Sequence, residues 1–172
     1  GKGVMAEDHP LWSYFIGFFG SSCGNKLAQK TDVLLAVGCR FAEWTCSSYK
    51  KGVTFNIPPT KVIQIDVEAR EIAKNYPVEA GILGDAKTVL AQLAEAMSPY
   101  ALKDYRRSDY FRETQQLKEK WHAVLRKWQS PPTGKLTTAG FLKELREFLD
   151  RDAIVLSDAG HAQDQLWRAF PI

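Results

Sequence analysis

Three short apolar runs, each closed by a glycine or an acid, constrain the fold of this chain more than any other feature. The first covers 32–37 and is followed by Gly38, the second covers 62–67, and the third covers 81–83 before Gly84. Segments with helical periodicity alternate with these runs, which is typical of parallel strands in an α/β sheet. The sequence therefore predicts a parallel sheet with flanking helices.

The ends of these predicted strands carry the candidate binding residues. Ligands of open parallel sheets bind at the carboxyl ends of the strands, which here hold Arg40, Asp66 and Asp85. An arginine there can fork onto a phosphate, and an acid can hold ribose hydroxyls. The chain lacks GxGxxG at the first strand end, so the dinucleotide fingerprint is not met. A surface role for Arg40 and helix-capping roles for Asp66 and Asp85 remain alternatives.

Helical patterns surround the strands. Helices are predicted at 24–29, 68–75, 86–97 with Asp85 as its cap, and 109–129, where apolar residues recur at three- and four-residue spacing. The segment 17–22, rich in glycine, serine and phenylalanine, is either a ligand loop or a buried aromatic turn. The connection 42–59 is long enough to be a binding loop.

A second βα pattern follows the Pro- and Gly-rich linker at 130–134. Thr138 is expected to cap a helix over 139–149, a strand is predicted at 153–157, and a further helix starts near Gln163. The turn between them contains Gly160 and His161 and would present a helix N-terminus suited to an anion. His161 could contact a phosphate or take part in acid–base chemistry, although a single histidine usually does neither.

Composition excludes several classes of protein. The chain has 172 residues, 45% hydrophobic and 25% charged, and a net charge of +3 that is too small to indicate nucleic-acid binding. Its three cysteines show no CxxC spacing and its three histidines are scattered, so no zinc site is predicted. Without a signal peptide or a membrane span, we expect a cytoplasmic protein with reduced thiols. The first residue is not Met and the chain stops soon after a strand, so we expect a fragment of a longer protein.

Several motifs occur in the order and rough spacing of one enzyme family. They are GKG with EDHPL at 1–11, GFFG at 17–20, VGCRF at 37–41, IDV with EI and KN at 65–75, GDA at 84–86 and DAG at 158–160. Together they resemble the thiamine diphosphate (ThDP)-dependent enzymes of the acetolactate synthase group. The resemblance covers nearly the whole chain.

The resemblance implies a domain layout. Residues 1–100 would be most of the family's central, Rossmann-like domain without its first strands, and 101–135 would be a connector helix and linker. Residues 136–172 would begin the C-terminal, ThDP-binding domain with its first βα elements. The family's activating glutamate lies in an N-terminal domain, and its GDG…NN motif for Mg²⁺ would follow Ile172. No catalytic residue and no metal ligand is therefore assigned within this chain.

The resemblance also implies cofactor contacts. Carried over by position, the flavin contacts of the central domain are Gly17, Phe18, Phe19, Gly38, Arg40, Asp66, Glu71, Gly84 and Asp85. Contacts to the ThDP diphosphate are Gly160, His161 and Ala162. Where the family has F-D-D-R this chain has Phe41-Ala42-Glu43-Trp44, so an acid and an arginine facing the flavin are lost. FAD, ADP, another nucleotide or an empty site all remain open.

The expected function is that of a ThDP- and Mg²⁺-dependent 2-oxo acid carboligase or decarboxylase, in which pyruvate loses CO₂ and its remaining two carbons are transferred to a second carbonyl compound. The parent is expected to be a homo-oligomer acting on small molecules, and the chain alone is expected to have no turnover. The alternatives are a stand-alone nucleotide-binding module without catalysis and an interaction domain that uses the helix at 109–129.

Overall fold

The computed structural model describes residues 2–100 and 104–172. Gly1, which belongs to the first family motif, and 101–103, at the start of the expected connector, lie outside the described residues. The helices are α1 (Ser22–Lys30), α2 (Ala86–Met97), α3 (Asp109–Gln129), α4 (Thr138–Phe148) and α5 (His161–Ala169). The strands are β1 (Val33–Val37), β2 (Lys61–Asp66) and β3 (Ala80–Leu83).

The chain divides into two compact units. The sheet unit is Lys26–Tyr105, and the helical unit combines Gly1–Asn25 with Arg106–Ile172. Helix α1 begins in one unit and ends in the other. The domain boundaries implied by the resemblance remain a prediction.

The sheet unit contains the predicted parallel sheet. Its order is β1-β2-β3, with Val33 opposite Lys61 and Ile63 opposite Ala80. The central strand β2 is the most buried, and Ile65, Val62 and Gln64 are each at most 1% exposed. Central strands bury both faces, which explains the nearly continuous β-branched run. The α/β fold predicted from the alternation is therefore confirmed.

An aromatic cluster packs the long connection between β1 and β2. The rings of Phe41, Phe55 and Tyr76 lie 5.3–5.9 Å apart in edge-to-face pairs, the geometry that ring quadrupoles favour. The Tyr76 hydroxyl contacts the Cys46 thiol, and burial raises the pKa of Cys46 to about 11. A thiol so protonated is unreactive at neutral pH, so Cys46 belongs to the core.

The helical unit is built on α3, α4 and α5. Ala139, Leu142, Ala169 and Phe170 form its buried cluster, with partly buried leucines packed around them. The N-terminal segment is fastened to α3 because Lys118 Nζ and Gln115 Nε2 both donate to the carbonyl of Pro10, each at 3.0 Å. These contacts, 105 residues or more apart in sequence, place the first residues in the helical unit.

A tyrosine–histidine pair makes a second tie between that segment and α3. Burial raises the pKa of Tyr14, so its hydroxyl stays protonated, and it is hydrogen-bonded to His122 Nε2. The other nitrogen of this ring, Nδ1, lies 3.9 Å from Glu119 Oε2. The edge of the Tyr14 ring packs against Trp121, which is 4% exposed.

Most predicted elements are confirmed, and the helices predicted at 86–97 and 109–129 are correct at both ends. Two local predictions are wrong. The helix expected at 68–75 is a single 3₁₀ turn, Ala69–Glu71, since its N-terminal acids cap that turn and Ile72 leaves the helical region. The cap of α4 is Thr137 instead of Thr138. Helix α5 begins at His161, two residues before Gln163, so the helix predicted near that residue is confirmed. In the turn at 17–22, Gly17 and Ser21 are buried while Phe18 is 62% exposed, so the choice between a ligand loop and a buried aromatic turn stays open.

The predicted strand at 153–157 is also wrong. Throughout the described ranges, strand pairing is confined to the three strands of the sheet unit, and 153–157 is extended without a partner strand. A strand requires a neighbour to receive its backbone hydrogen bonds, and none of the described residues supplies one here. Val155 packs on the buried cluster while Ile154 and Leu156 are each 91% exposed, so the alternation predicted for a strand persists without the pairing.

None of the described helices combines the length and apolar character that a membrane crossing requires.

Candidate functional site

The carboxyl ends of the three strands form a continuous edge. Gly38 N donates to Ile65 O at 2.8 Å, and Gly84 N donates to Asp66 O at 2.9 Å, so the parallel pairing continues past the strand ends. We call the residues here the strand-end edge: Gly38, Arg40, Asp66, Glu71, Gly84 and Asp85. Six of the predicted cofactor contacts are thus in one unit, on loops that leave the same side of the sheet.

Gln64 holds these loops in place. Its amide nitrogen donates to the carbonyls of Cys39 at 3.1 Å and Glu71 at 3.0 Å, and its oxygen accepts from Ala73 N at 3.0 Å. The side chain is 1% exposed, so these bonds replace water completely. The sequence-based prediction missed this residue. The one signal in the sequence was a glutamine in the middle of a β-branched strand.

Asn75 makes a second tie between the loops after β1 and β2. Its amide nitrogen donates to the carbonyls of Arg40 at 3.0 Å and Phe41 at 3.2 Å. The backbone on either side of the edge is therefore fixed by side-chain amides, which is the rigidity that a binding site on loops requires.

Asp66, which is buried, and Glu71, which is partly buried, differ in what their carboxylates can still accept. Asp66 is 7% exposed, and its Oδ1 accepts from Glu68 N at 3.0 Å. Glu71 Oε1 accepts from Lys74 Nζ at 2.9 Å, but its buried Oε2 has no hydrogen-bond partner among the described residues. A buried carboxylate oxygen without a donor is costly, and a ligand hydroxyl or ordered water would satisfy it.

Gly38 and Arg40 form the open side of the edge. Gly38 has φ +59°, and a Cβ placed there would meet no described atom within 4 Å, so the backbone faces unfilled space. Arg40 is exposed, and its carbonyl accepts a hydrogen bond from Asn75. Exposed backbone beside a cation can accommodate an anionic group.

Gly84 and Asp85 both have structural roles at the start of α2. A Cβ on Gly84 would lie 2.8 Å from Val89 Cγ2, so this glycine is needed by the helix that follows it. Asp85 caps α2 by accepting from Thr88 N at 2.9 Å and Thr88 Oγ1 at 3.0 Å, and these bonds hold the pKa of its carboxyl below the usual value. The capping alternative is therefore confirmed for Asp85, and Asp66 instead caps a turn through Glu68.

The other six predicted contacts belong to the helical unit. Gly17, Phe18 and Phe19 form a turn in which Gly20 N donates to Gly17 O at 3.0 Å. Arg168 donates to the carbonyls of Phe19 at 2.8 Å and Phe18 at 3.3 Å. This turn is therefore joined to α5, which is the element that carries the remaining three contacts.

Gly160, His161 and Ala162 open α5. Gly160 has φ +119°, and the helix has no side-chain cap among the described residues, so its first amides are not covered by a capping oxygen. The His161 side chain is 87% exposed and its Nδ1 lies 4.0 Å from Asp164 Oδ2. An uncapped helix N-terminus beside a glycine accepts an anion through backbone amides. Among the residues at 2–100 and 104–172, no cluster of metal-binding side chains occurs.

The three-stranded parallel sheet with flanking helices places this protein in the α/β class. The family described as "Thiamine pyrophosphate enzyme, central domain" matches residues 1–93. The chain belongs to this family. The match includes the whole sheet and nine of the twelve predicted cofactor contacts, from Gly17 to Asp85.

Similar proteins carry the names of a synthase, a hydrolase and an acetyltransferase. The chain is 31% identical to a "Probable acetolactate synthase large subunit" of Methanocaldococcus jannaschii, over 98% of this chain and 28% of that protein. It is 25% identical to a "3D-(3,5/4)-trihydroxycyclohexane-1,2-dione hydrolase" of Geobacillus thermodenitrificans, over 99% and 28%. It is 39% identical to a "Sulfoacetaldehyde acetyltransferase" of Roseovarius nubinhibens, over 51% and 15%.

The chain spans about 28% of the length of the acetolactate synthase relatives. The resemblance predicted from the motifs is therefore confirmed as to family, and it covers a part of those proteins.

Proposed function

We propose that this chain is the nucleotide-binding part of a ThDP-dependent enzyme of the acetolactate synthase type. The parent would act on 2-oxo acids, decarboxylating pyruvate and transferring the remaining two carbons to a second carbonyl compound, as a transferase or lyase. The chain by itself would have no turnover. Family membership and the names of the relatives support this proposal.

The observation that carries the binding role is the unpartnered buried oxygen of Glu71. It lies on the loop held by Gln64, at the strand-end edge that also contains Asp66. Two acids suited to hydroxyl groups and a cation at Arg40 match the chemistry of a nucleotide with ribose and phosphate. The residues present therefore fit a nucleotide, and Asp66, Glu71, Gly38 and Arg40 would hold it.

The identity of that nucleotide is open between FAD and ADP. Both share an adenosine diphosphate portion, which the edge would hold in the same way. Phe41-Ala42-Glu43-Trp44 replaces charged flavin-facing positions of the family, and Trp44 is 62% exposed. We propose the adenosine diphosphate portion as the shared ligand, so that FAD and ADP compete for the edge.

Gly160, His161 and Ala162 would contact the diphosphate of ThDP at the start of α5. The uncapped helix N-terminus fits a diphosphate bound through backbone amides. When bound, ThDP supplies an electron sink for the bond next to the substrate carbonyl, and Mg²⁺ would be held with it outside this chain's own residues. This chain's part in that site is to position the diphosphate.

We further propose that the parent is a cytoplasmic homo-oligomer acting on small molecules, without nucleic-acid or membrane partners. The words "large subunit" in the names of several relatives describe those proteins. Sedimentation of the parent protein would measure its assembly.

A nucleotide-binding module without catalysis is the second candidate, because the strand-end edge is complete within the sheet unit. Both candidates require nucleotide binding, and they differ in turnover of the intact gene product. The catalytic claim is therefore tested separately from the binding claim.

Binding to the full chain is tested by two titrations. FAD binding is followed by the fluorescence of FAD, and ADP binding is followed by calorimetry. Arg40→Gln is compared with Arg70→Gln, because Arg70 is an exposed arginine on the 3₁₀ turn. Glu71→Gln is compared with Glu79→Gln, because Glu79 pairs with Lys61 on the surface. Loss of one charge-assisted contact is expected to weaken binding by about tenfold in R40Q and E71Q. R70Q and E79Q are expected to bind as the unaltered chain does.

Equal affinities in the test and control variants would contradict the assignment of the strand-end edge. Absence of saturation with both nucleotides would contradict nucleotide binding by this chain.

A further inference from the structure

A second cavity, separate from the strand-end edge, lies entirely within the helical unit. Its volume is about 730 Å³, and its walls come from the N-terminal segment, α3, the end of α4 with the residues after it, and the end of α5 with the residues after it. We call it the helical-unit cavity. Its size is within the range of pockets that bind small organic molecules.

The charged residues of this cavity are mostly paired. Four ion pairs satisfy its three acids and two of its arginines: Glu7 with Lys2 at 2.5 Å, Asp8 with Arg151 at 4.0 Å, Glu147 with Lys143 at 3.4 Å, and Arg126 with Glu119 at 2.8 Å. These residues therefore add little net charge to the cavity.

Two arginines of the cavity wall have no carboxylate partner in the described part of the chain. Arg146 donates to the carbonyl of Leu149 at 2.7 Å and to that of Asp150, and Arg168 donates to the carbonyls of Phe19 and Phe18. A carbonyl orients a guanidinium but does not neutralise it. Each guanidinium has five N–H donors, so both retain donors and a full positive charge.

The same cavity has an apolar wall. Leu125 and Leu149 line it next to Phe170, which is 3% exposed, and the Arg146 guanidinium lies 5.4 Å from the centre of the Phe170 ring. The ring face fixes the planar guanidinium by a cation–π contact. The cavity therefore combines an apolar wall with Arg146 and Arg168, which have no carboxylate partner among the described residues.

We propose that the helical-unit cavity binds a small organic acid. The carboxylate would pair with Arg146 and Arg168, and the hydrocarbon body would lie against Leu125 and Phe170. A carboxylate matches the guanidinium fork, and transfer of the hydrocarbon from water stabilises the complex. An inorganic anion would leave the apolar wall uncovered, so it would bind more weakly.

The test uses the full chain and 4-methylpentanoate as the probe, with binding followed by calorimetry and by tryptophan fluorescence. Two comparison ligands separate the contributions: 4-methylpentanamide has the same shape without the charge, and inorganic phosphate has charge without the hydrocarbon. We expect saturable binding of the acid, and affinities lower by about tenfold or more for both comparison ligands.

Variants assign the binding to the two arginines. Arg146→Gln and Arg168→Gln are each expected to weaken binding of the acid by about tenfold, whereas Arg112→Gln, whose arginine pairs with Asp109 on the surface of α3, is expected to have no effect. Arg146→Lys keeps the charge and is expected to recover part of the lost affinity. Thermal unfolding of each variant verifies that the fold is intact.

Three outcomes would overturn the proposal. They are the absence of saturable binding, equal binding of the acid and its amide, and equal losses of affinity in R146Q, R168Q and R112Q.

Discussion

Gln64 shows how a single buried side chain organises the candidate site. Its three hydrogen bonds join the loop after β1 to the segment after β2. Two of the proposed ligand contacts lie at these hydrogen bonds, because Gly38 precedes Cys39 and Glu71 supplies one of the bonded carbonyls. Their arrangement therefore depends on a residue that would not itself contact the ligand.

Replacing Gln64 by leucine is expected to destabilise the sheet unit by about 2–3 kcal/mol, because two carbonyls and one N–H would lose their partners in a buried environment. Urea unfolding followed by circular dichroism measures the change. Gln92→Leu, on the exposed face of α2, is the matched control and is expected to change stability little. A loss in Q64L no larger than in Q92L would contradict this role.

Asp85 predicts a pH dependence. Its carboxyl pKa is lowered in the folded state from 3.8 by hydrogen bonds from Thr88. A group whose folded pKa is depressed stabilises the fold fully above its unfolded pKa, and this stabilisation is lost as the pH falls through the folded value. Asp85→Ala is therefore expected to lower the urea midpoint at pH 7, and the gap from the unaltered chain is expected to narrow towards pH 3.

Asp152→Ala, at an exposed acid outside the sheet unit, is the control for general effects of acid. A difference between D85A and the unaltered chain that stays constant or widens at low pH would refute the assignment.

For individual residues, the sequence alone predicts part of the candidate site. Arg40 and Asp66 follow from the apolar pattern, because strand ends are visible in it. Gln64 does not, since its partners are carbonyls 25 and 7 residues away that approach it only when the sheet has formed. The free oxygen of Glu71 is likewise a property of the folded loop.

The helices were predictable where both termini carry chemical signals. Helix α3 begins after Ser108, whose hydroxyl accepts from Phe111 N at 3.1 Å, and it ends before the proline pair at 131–132. Helix α2 begins after Asp85 and ends before Ser98 and Pro99. Capping side chains and prolines act locally, so sequence alone reveals them.

Helix α4 shows where the local signal is ambiguous. Two threonines stand side by side, and Thr137 Oγ1 accepts from Gly140 N at 3.0 Å, while Thr138 is the first helical residue. Thr137→Ala is expected to cost about 1 kcal/mol, whereas Thr138→Ala removes no cap and adds a good helix former. Thermal or urea unfolding of the two variants measures the difference. A larger loss in T138A would place the cap where the sequence pattern put it.

The segment 153–157 shows where the local sequence is insufficient to predict an element. It has the composition of a strand but no partner strand among the described residues. Its alternation survives in the burial of Val155 and the exposure of Ile154 and Leu156. Strand formation depends on hydrogen bonds to another segment, so composition predicts the alternation and cannot supply the neighbour.

At the scale of the whole chain, the two units differ in what the sequence predicts. The fold of the sheet unit follows from the sequence, whereas the sequence does not predict which segments come together in the helical unit. The grouping of Gly1–Asn25 with Arg106–Ile172 rests on contacts such as those of Tyr14 with His122 and Lys118 with Pro10. Such contacts between distant positions leave no periodic pattern. The family, in contrast, was evident because several short motifs keep their order along the chain.

The central claim is that this sequence belongs to an enzyme that uses ThDP to act on 2-oxo acids. It is tested most directly by isolating the native gene product from its source with an antibody to this chain and measuring acetolactate formed from pyruvate, with and without ThDP and Mg²⁺. We predict a product of about three domains, at ~150–200 residues each, whose turnover requires both additions. A native product no larger than 172 residues, without turnover, would contradict it.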